Sequence, residues 1–253
     1  MGDSNPMDVL IEGAAALELP LSSVQTEMFG RYSELLLDWN SRINLTHITA
    51  PVDVQRKHFL DSLTCCLALN VGDALPLIDA WAGKRFIDVG TGAGFPGLPL
   101  KIVMPDIQLT LLEATGKKTQ FLQAVVSELG LGDVDVVTGR AEEAAHQIDH
   151  RHSYEVVLAR ALAPMATLVE LTLPFLQLGG TLVAQKGEDP RTEVADADYA
   201  IETLGGRLRQ VSAVAIPGLQ AARHLVQIDK IGPTPDRYPR RPGMPKKRPL
   251  TKS

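Results

Sequence analysis

The chain has 253 residues, of which 45% are hydrophobic and 22% charged, so it is long enough to bury a large core. It contains no uninterrupted apolar run of about 18 residues, which excludes a membrane-spanning helix. The first residues lack the basic segment and apolar run of a secretory signal, and we therefore expect a cytoplasmic protein with no membrane partner.

The net charge of −5 is unevenly distributed. Residues 237–253 hold seven of the 25 basic side chains and none of the 30 acidic ones, so the other 18 basic residues face all 30 acids, a net charge of −12. The four prolines at residues 238–250 disfavour helix, and an extended cationic strip suits contacts with phosphates. A disordered segment that only aids solubility is the alternative.

The first half of the chain begins with two helical patterns. Residues 22–39 carry apolar side chains at helical spacing after Ser22, a residue type favoured at helix N-caps. Residues 52–69 carry a second pattern, opened by Pro51. We therefore predict an N-terminal helical cap region at residues 1–80.

From residue 85 the pattern changes to short β-rich runs that alternate with helical segments. The predicted strands are residues 86–89, 109–113, 134–138, 155–158 and 181–184, and the predicted helices are 117–129, 165–176 and 194–204. Alternation of this kind indicates a parallel sheet, and the runs at residues 211–216 and 224–231 are close enough for an antiparallel hairpin. This order is typical of an α/β class I S-adenosylmethionine-dependent methyltransferase, with a Rossmann-like sheet. We assign residues 81–236 to that domain and residues 237–253 to a basic, proline-rich tail.

Residues 86–97 (FIDVGTGAGFPG) form a predicted strand, a glycine-rich turn and the start of a helix. They contain the dinucleotide pattern GxGxxG from Gly92, and Glu113 ends the next predicted strand, where a ribose hydroxyl would be bound. By itself this pattern leaves a nicotinamide-dependent oxidoreductase open. Glycines that merely form a strand-to-helix turn are a further alternative.

Two residues of this loop argue against a pyrophosphate ligand. Asp88 would repel a diphosphate, and Pro96 removes a backbone N–H donor that a phosphate would need. A carboxylate at the mouth of the loop would instead attract a ligand with an ammonium and a sulfonium, such as S-adenosylmethionine. We place the amino-acid end of that ligand near Gly90 and its adenine near Glu142, unless Glu142 is only a solvated carboxylate at a helix start.

The segment after the fourth predicted strand, residues 158–164 (LARALAP), lacks the Asn/Asp-Pro-Pro-aromatic motif of many methyltransferases that act on exocyclic amines. A ring nitrogen such as guanine N7 offers an in-plane lone pair and needs no immediate general base, so positioning can supply most of the catalysis. Arg160 lies in this segment and could hold the cofactor carboxylate or an RNA phosphate, although an ion pair at a strand end is the alternative.

Taken together, these segments resemble the bacterial small-subunit ribosomal RNA guanine-N7 methyltransferase family, also called glucose-inhibited division protein B. The resemblance spans about residues 28–250. It rests on residues 44–46 (NLT), 57–63 (KHFLDSL), 88–97 (DVGTGAGFPG), 117–118 (KK), 140–142 (RAE), 159–161 (ARA), 185–187 (QKG) and 238–245 (YPRRPGMP).

The resemblance implies transfer of a methyl group from S-adenosyl-L-methionine to N7 of a guanine in 16S ribosomal RNA, either free or within the small ribosomal subunit. Its cofactor positions correspond to Gly90, Phe95, Ala141, Glu142 and Arg160 here. The loop pattern adds Asp88, Gly92 and Glu113 as candidate cofactor contacts. We expect the cofactor pocket to be complete before residue 190.

His58 and Asp61 are candidate catalytic residues together with Arg160. At i and i+3 they share a helix face, so Asp61 could orient His58 toward the pocket. Ordinary surface roles, or an exposed ion pair between Lys57 and Asp61, are the alternatives. The candidate RNA contacts are Lys57, Lys118, Lys186, Arg240, Arg241, Lys246 and Lys247.

The histidines and the adjacent Cys65 and Cys66 show no zinc spacing, so we predict no metal site and interpret both cysteines as buried apolar residues. Two other functions remain open at this point. One is a nicotinamide-dependent oxidoreductase, and the other is a non-catalytic RNA-binding factor for ribosome assembly.

Overall fold

The computed structural model describes residues 5–70, 76–220 and 222–252. In this part of the chain, seven strands form one sheet: β1 (Arg85–Val89), β2 (Gln108–Glu113), β3 (Val134–Thr138), β4 (Tyr154–Arg160), β5 (Leu176–Lys186), β6 (Gly206–Val214) and β7 (Arg223–Lys230). The order is β3-β2-β1-β4-β5-β7-β6. β1 to β5 are parallel, and β7 is antiparallel to β5 and β6. The prediction of a class I methyltransferase sheet with a late hairpin is confirmed.

The helices of the described ranges lie between and around these strands. They are α1 (Asp8–Ala16), α2 (Ser23–Asn40), α3 (Pro51–Val54), α4 (Asp61–Leu63), α5 (Cys65–Leu69), α6 (Leu77–Trp81), α7 (Gly97–Val103), α8 (Gly116–Glu128), α9 (Ala141–Ala144), α10 (Met165–Thr172), α11 (Arg191–Asp196), α12 (Asp198–Thr203) and α13 (Met244–Lys247). A π-helix (Gln55–Leu60) joins α3 to α4, and a 3-10 turn (Leu173–Phe175) follows α10. Across the described residues, the structure holds no helix with the length and apolar character needed to cross a membrane.

The helix predicted at residues 22–39 is present, and Ser22 is its N-cap. The Ser22 hydroxyl accepts a hydrogen bond from the backbone N–H of Gln25, while the Gln25 side chain accepts one from the backbone N–H of Ser22. This reciprocal pair is a capping box, which satisfies two amide donors at the start of α2. The predicted N-cap is confirmed.

The helix predicted at residues 165–176 ends earlier, because the chain turns into β5 at Leu176. Pro174 has no N–H to continue the helical hydrogen bonds. β6 also starts earlier than predicted, at Gly206 instead of residue 211. It is an edge strand whose first residues are mostly exposed and polar, so no apolar pattern marks its start.

The helices of residues 5–70 share one hydrophobic core with the sheet. Its centre is an aromatic cluster in which Tyr32 lies 5.4 Å from both Phe59 and Phe95, measured between ring centres. The Tyr32 hydroxyl donates to the carbonyl of Ala93 in the glycine loop, at 2.5 Å. The N-terminal helices therefore support the loop directly.

Residues 237–252 pack on the domain instead of forming a free tail. Tyr238 and Leu250 are buried, and the Arg240 guanidinium donates to both carboxylate oxygens of Glu170 at 2.8 and 2.6 Å. Glu170 lies on α10 and is fully buried. The alternative of a disordered, solubilising segment is therefore wrong for this part of the chain, because a buried carboxylate requires its cationic partner.

Candidate functional site

Three adjoining cavities lie at the carboxyl ends of the parallel strands, where open α/β sheets bind their ligands. The inner, central and outer cavities have volumes of about 400, 210 and 390 Å³. Gly90 and Ala161 line both the inner and the central cavity. His58, Arg160 and Ala161 line both the central and the outer one. The three cavities together therefore form one continuous cleft.

Ala161 lines all three cavities and has a φ of +51°. This left-handed conformation is uncommon for a residue with a Cβ, and such strain concentrates at functional sites. It turns the chain sharply after Arg160, the last residue of β4. The segment that lacks the amine-binding motif thus forms the junction of the cleft.

The inner cavity contains the predicted ribose and adenine contacts, namely Glu113, Ala141 and Glu142. The Glu113 carboxylate accepts hydrogen bonds from the backbone N–H groups of Gly92 at 3.1 Å and Thr115 at 2.9 Å. Each carboxylate oxygen has a further lone pair, so the group can also accept from a vicinal diol. The cavity therefore fits a nucleoside.

Gly90, at the boundary between the inner and central cavities, requires glycine on two grounds. Its φ is +70°, and an added Cβ would lie 2.6 Å from a methyl carbon of Leu162. The loop continues through Gly92 and Phe95, which line the central cavity. Three of the predicted cofactor contacts thus line the central cavity.

Asp88 does not lie at the mouth of the loop, so the predicted attraction of a cationic ligand there is wrong. Its side chain is fully buried, and its Oδ2 accepts hydrogen bonds from the Thr91 hydroxyl at 2.6 Å and the Gly97 N–H at 2.8 Å. Burial raises the pKa of Asp88 to about 6. The carboxylate lines none of the three cavities and instead ties the loop to the start of α7.

Arg160 lies at the boundary between the central and outer cavities and forms several hydrogen bonds there. Its Nη1 donates to Asp61 Oδ2 at 3.1 Å and to the Lys57 carbonyl at 3.2 Å, and its Nη2 donates to His58 Nδ1 at 3.3 Å. The guanidinium carbon lies 4.9 Å from the centre of the Phe95 ring, which adds a cation–π contact. The candidate residues His58, Asp61, Phe95 and Arg160 are thus brought together.

The hydrogen bonds of His58 define its tautomer. A guanidinium can only donate, so Nδ1 accepts from Arg160 and the ring proton is on Nε2. Nε2 then donates to the Thr46 hydroxyl oxygen at 2.8 Å, and the ring stacks on Phe95 at 4.5 Å between centres. Burial and the charge of Arg160 lower the pKa of His58 to about 3. His58 is therefore neutral near neutral pH.

Thr46 lines the central cavity and was not singled out as a site residue. Its oxygen also accepts the Ile48 N–H at 3.0 Å, so both lone pairs are used and the hydroxyl proton is left for a ligand. The only sequence signal for Thr46 was its place in the NLT segment.

Asp61 orients Arg160 and not His58. Its two carboxylate oxygens accept from Arg160 Nη1 and from Arg223 Nε, each at 3.1 Å. The suggested ion pair between Lys57 and Asp61 is also wrong, because Lys57 pairs with Asp53 at 3.1 Å. The π-helix at Gln55–Leu60 widens the turn, so the expected α-helical offsets do not apply.

The basic residues predicted to contact RNA occupy different surroundings. Lys57 and Lys186 line the outer cavity, where Lys186 also pairs with Glu193 at 2.9 Å. Lys118 is half-buried near the start of α8 and lines none of the three cavities.

In the C-terminal segment, Arg240 forms an ion pair with Glu170, whereas Arg241, Lys246 and Lys247 are exposed. Considering only the described residues, no carboxylate lies within ion-pair distance of these last three side chains.

The expectation that the cofactor pocket is complete before residue 190 is wrong. Gly243 and Lys246 line the inner cavity together with Glu142. Glu142 Oε1 accepts the Gly243 N–H at 2.9 Å, which holds the segment against the cavity. Glu142 is therefore neither free nor merely solvated.

Cys65 and Cys66 are buried, as predicted, and both are free thiols. Within the described ranges, no group of three or more His, Cys, Asp or Glu side chains is arranged to hold a metal ion.

The low pKa of His58 leads to an expected pH dependence of stability. An unfolded histidine has a pKa of about 6.5, so below that pH the unfolded state binds a proton that the native state excludes. The free energy of unfolding should therefore fall by about 2 kcal/mol from this source between about pH 7.5 and 5. In His58→Gln this loss of stability at low pH should be absent, as measured by urea denaturation across this range.

The raised pKa of Asp88 changes the free energy of unfolding in the opposite direction as the pH falls, but this contribution is common to both proteins. Parallel pH profiles would show that His58 is protonated in the native state.

The chain is similar to known proteins over most of its length. Residues 25–226 match the family model described as rRNA small subunit methyltransferase G. A protein named ribosomal RNA small subunit methyltransferase G from Dehalococcoides mccartyi is 48% identical over 244 residues, covering 96% of this chain and 100% of that protein.

Solved structures extend the comparison of the fold. A SAM-dependent O-methyltransferase from Thermotoga maritima aligns with a TM-score of 0.52 at 13% identity, over 85% of this chain and 74% of that one. TYW2 of M. jannaschii in complex with AdoMet aligns with a TM-score of 0.50 at 12% identity, over 76% and 80%. These two show likeness of fold alone. The family match and the close relative confirm the resemblance found in the sequence, and the chain belongs to the rRNA small subunit methyltransferase G family.

Proposed function

We propose that the protein transfers a methyl group from S-adenosyl-L-methionine to N7 of a guanine in 16S ribosomal RNA. The observation that carries this proposal is the central cavity, which joins a nucleoside site to a cationic outer cavity but offers no free general base. Its ionisable residues are His58 and Arg160. Both His58 nitrogens are engaged in hydrogen bonds, and its pKa of about 3 makes it a very weak base.

This chemistry favours a ring nitrogen over an exocyclic amine. Methylation of an amine requires removal of a proton, whereas guanine N7 attacks through a lone pair that is already available. The chain's residues then have to orient the base, exclude water and hold the positive charge of Arg160 in place. Asp61 serves that last purpose, since its two carboxylate oxygens are engaged by Arg160 and Arg223.

The inner cavity fits the cofactor, which supplies an electrophilic methyl group when bound. Glu113 would hold the ribose diol, while Ala141 and Glu142 would border the adenine. Gly90 would leave room for the amino-acid end at the passage to the central cavity. Asp88 would support this end through the loop that it braces.

The partner follows from the family and from the charges around the cleft. Lys57, Lys186 and Arg223 line the outer cavity, and Arg241 and Lys247 are exposed on the C-terminal segment. Guanine N7 faces the deep, narrow groove of A-form RNA, so the target base must be unpaired or flipped out to enter such a cleft. We therefore infer that the protein acts on 16S ribosomal RNA, free or in the small subunit, in the cytoplasm.

Label transfer tests the proposal directly. Protein, cofactor with a tritiated methyl group, and 16S ribosomal RNA or small subunits are incubated, and the RNA is digested to nucleosides. We expect the label to elute with 7-methylguanosine. Label in another nucleoside would contradict the site of methylation, and an absence of label on both substrates would favour a non-catalytic assembly factor. Separate calorimetric titrations with S-adenosylhomocysteine and with NAD test the oxidoreductase alternative. Binding of NAD alone would support it, and binding of S-adenosylhomocysteine alone would exclude it.

Arg160→Ala should lower methyl transfer far more than it lowers cofactor affinity. The guanidinium joins the two cavities where the base and the methyl group must meet, and a misplacement there costs about 100-fold in rate. Single-turnover methylation measures the rate, and calorimetry with S-adenosylhomocysteine measures affinity. Arg85→Ala is a suitable control, because Arg85 lies at the opposite end of β1 and stacks on Tyr154. An unchanged single-turnover rate in Arg160→Ala would remove Arg160 from the mechanism.

The exposed cations of the C-terminal segment should set the salt dependence of RNA binding. Each phosphate contact contributes about 0.7 to 0.9 to the slope of log affinity against log salt. The double variant Arg241→Ala/Lys247→Ala should therefore bind RNA more weakly and with a flatter slope, as measured by filter binding from low to moderate salt. Neither residue lines the inner cavity, so cofactor affinity should stay unchanged. A wild-type slope would remove these two residues from the RNA interface.

A further inference from the structure

The outer cavity combines four cationic side chains with a single carboxylate. Lys57, Arg160, Lys186 and Arg223 line it, and Asp61 is engaged by two of them. Such a site suits a ligand that presents hydrogen-bond acceptors, such as a base carbonyl or a phosphate.

Gln185 gives this cavity a second kind of recognition group. The residue lines the outer cavity and is 5% exposed. Its Nε2 donates to the Asp61 carbonyl at 2.6 Å and to the Thr64 hydroxyl oxygen at 3.2 Å. Its Oε1 is buried and has no hydrogen-bond partner among the described residues.

The orientation of this amide is fixed by its neighbours. The Asp61 carbonyl can only accept, and the Thr64 hydroxyl already donates its proton to that carbonyl at 2.6 Å. Rotating the amide would place Oε1 against the carbonyl oxygen. The unpaired atom of Gln185 is therefore an acceptor, and a buried acceptor without a partner is rare and costs stability.

Gln185 also lies beside the residue that joins the cavities. It pairs in register with Arg160 between β5 and β4, so both side chains project from the same face of the sheet, with strands about 4.8 Å apart. Arg160, which can only donate, and Gln185, which has an unpaired acceptor, are therefore neighbours in the wall of the outer cavity.

Guanine presents this complementary pattern along its Watson–Crick edge, with the O6 acceptor next to the N1–H and 2-amino donors. Adenine reverses it, since an amine replaces O6 and N1 carries no proton. We propose that the outer cavity holds the target guanine and that Gln185 Oε1 accepts a hydrogen bond from its N1–H or 2-amino group, which selects guanine over adenine. This inference rests on the proposed methylation of a guanine.

The test combines changes in the RNA with a change in the protein. An RNA substrate carries guanosine, inosine or 2-aminopurine at the target position. Inosine lacks the 2-amino group, and 2-aminopurine lacks O6 and the N1 proton. Each is methylated under single-turnover conditions by the wild type and by Gln185→Met, which keeps the side-chain length but removes the amide. Comparing the two proteins cancels the intrinsic difference in N7 reactivity between the bases.

In the wild type, at least one analogue should react about tenfold more slowly than guanosine, as expected when a buried acceptor loses its donor. In Gln185→Met that penalty should shrink by about tenfold, to the difference that does not involve Gln185, while guanosine itself reacts about tenfold more slowly. Gln227→Met is the matched control, because Gln227 is a buried glutamine that donates to the Ala68 carbonyl and accepts from Gln210. It should retain the wild-type pattern.

Equal analogue penalties in Gln185→Met and the wild type would overturn the inference. So would a wild type without any analogue penalty, a result that needs no variant to fold. Failure of the proposed function looks different, since the wild type would then transfer no methyl group to N7 of the guanosine substrate. Calorimetry with S-adenosylhomocysteine checks that each variant is folded.

Discussion

Removal of residues 237–253 should abolish cofactor binding and lower the free energy of unfolding by about 3 to 5 kcal/mol or more, although these residues follow the whole sheet. The truncation leaves the buried Glu170 carboxylate without Arg240 and removes the buried side chains of Tyr238 and Leu250. It also removes Gly243 and Lys246 from the inner cavity. Urea denaturation and calorimetry with S-adenosylhomocysteine measure the two effects.

A shorter truncation provides the control. Thr251 and Lys252 are exposed, so removing residues 251–253 should change neither stability nor cofactor affinity. If the longer truncation kept full stability and affinity, the segment would not be part of the cofactor site, and the packing of Arg240 on Glu170 would be of no consequence.

Asp61→Ala should both destabilise the protein and slow methyl transfer. Asp61 is 5% exposed, and its loss leaves two guanidinium groups facing each other without an anion. Removing one partner of a buried ion pair costs about 3 to 5 kcal/mol, so we expect that loss in the free energy of unfolding. Arg160 would also lose its position at the cavity boundary, and single-turnover methylation should fall by about 100-fold.

Asp53→Ala is the matched control for this variant. Asp53 pairs with Lys57 on the same helical run, but both side chains are more than a third exposed, at 41% and 35%. Exposed pairs contribute about 0 to 1 kcal/mol, so this substitution should leave stability and methylation close to those of the wild type. Similar stabilities for the two variants would mean that the two arginines do not depend on Asp61.

The central sheet could be predicted because its strands carry strong local signals. β1 and β4 are buried along nearly their whole length, so each appears as a short apolar run between turn residues. The glycine loop could also be predicted, because Gly90 and Gly92 adopt positive φ values that favour glycine and so leave a visible mark in the sequence. Local chemistry of this kind is present in the sequence itself.

The remaining features depend on contacts between distant parts of the chain. Asp61 meets Arg160 99 positions away and Arg223 162 positions away, and no local pattern indicates either pairing. The C-terminal segment appeared suited to RNA because its charges were visible, whereas the buried partner of Arg240 lies within an apolar helix. Gln185 appeared in a family motif, but its unpaired oxygen emerges only from the packing around Asp61 and Thr64.

Mapping 7-methylguanosine in 16S ribosomal RNA from cells with and without this protein tests the central claim most directly, by chemical cleavage at N7-methylated positions. We expect a cleavage product that disappears without the protein, returns with the wild-type chain and does not return with Arg160→Ala. An identical cleavage pattern in the presence and absence of the protein would contradict that claim.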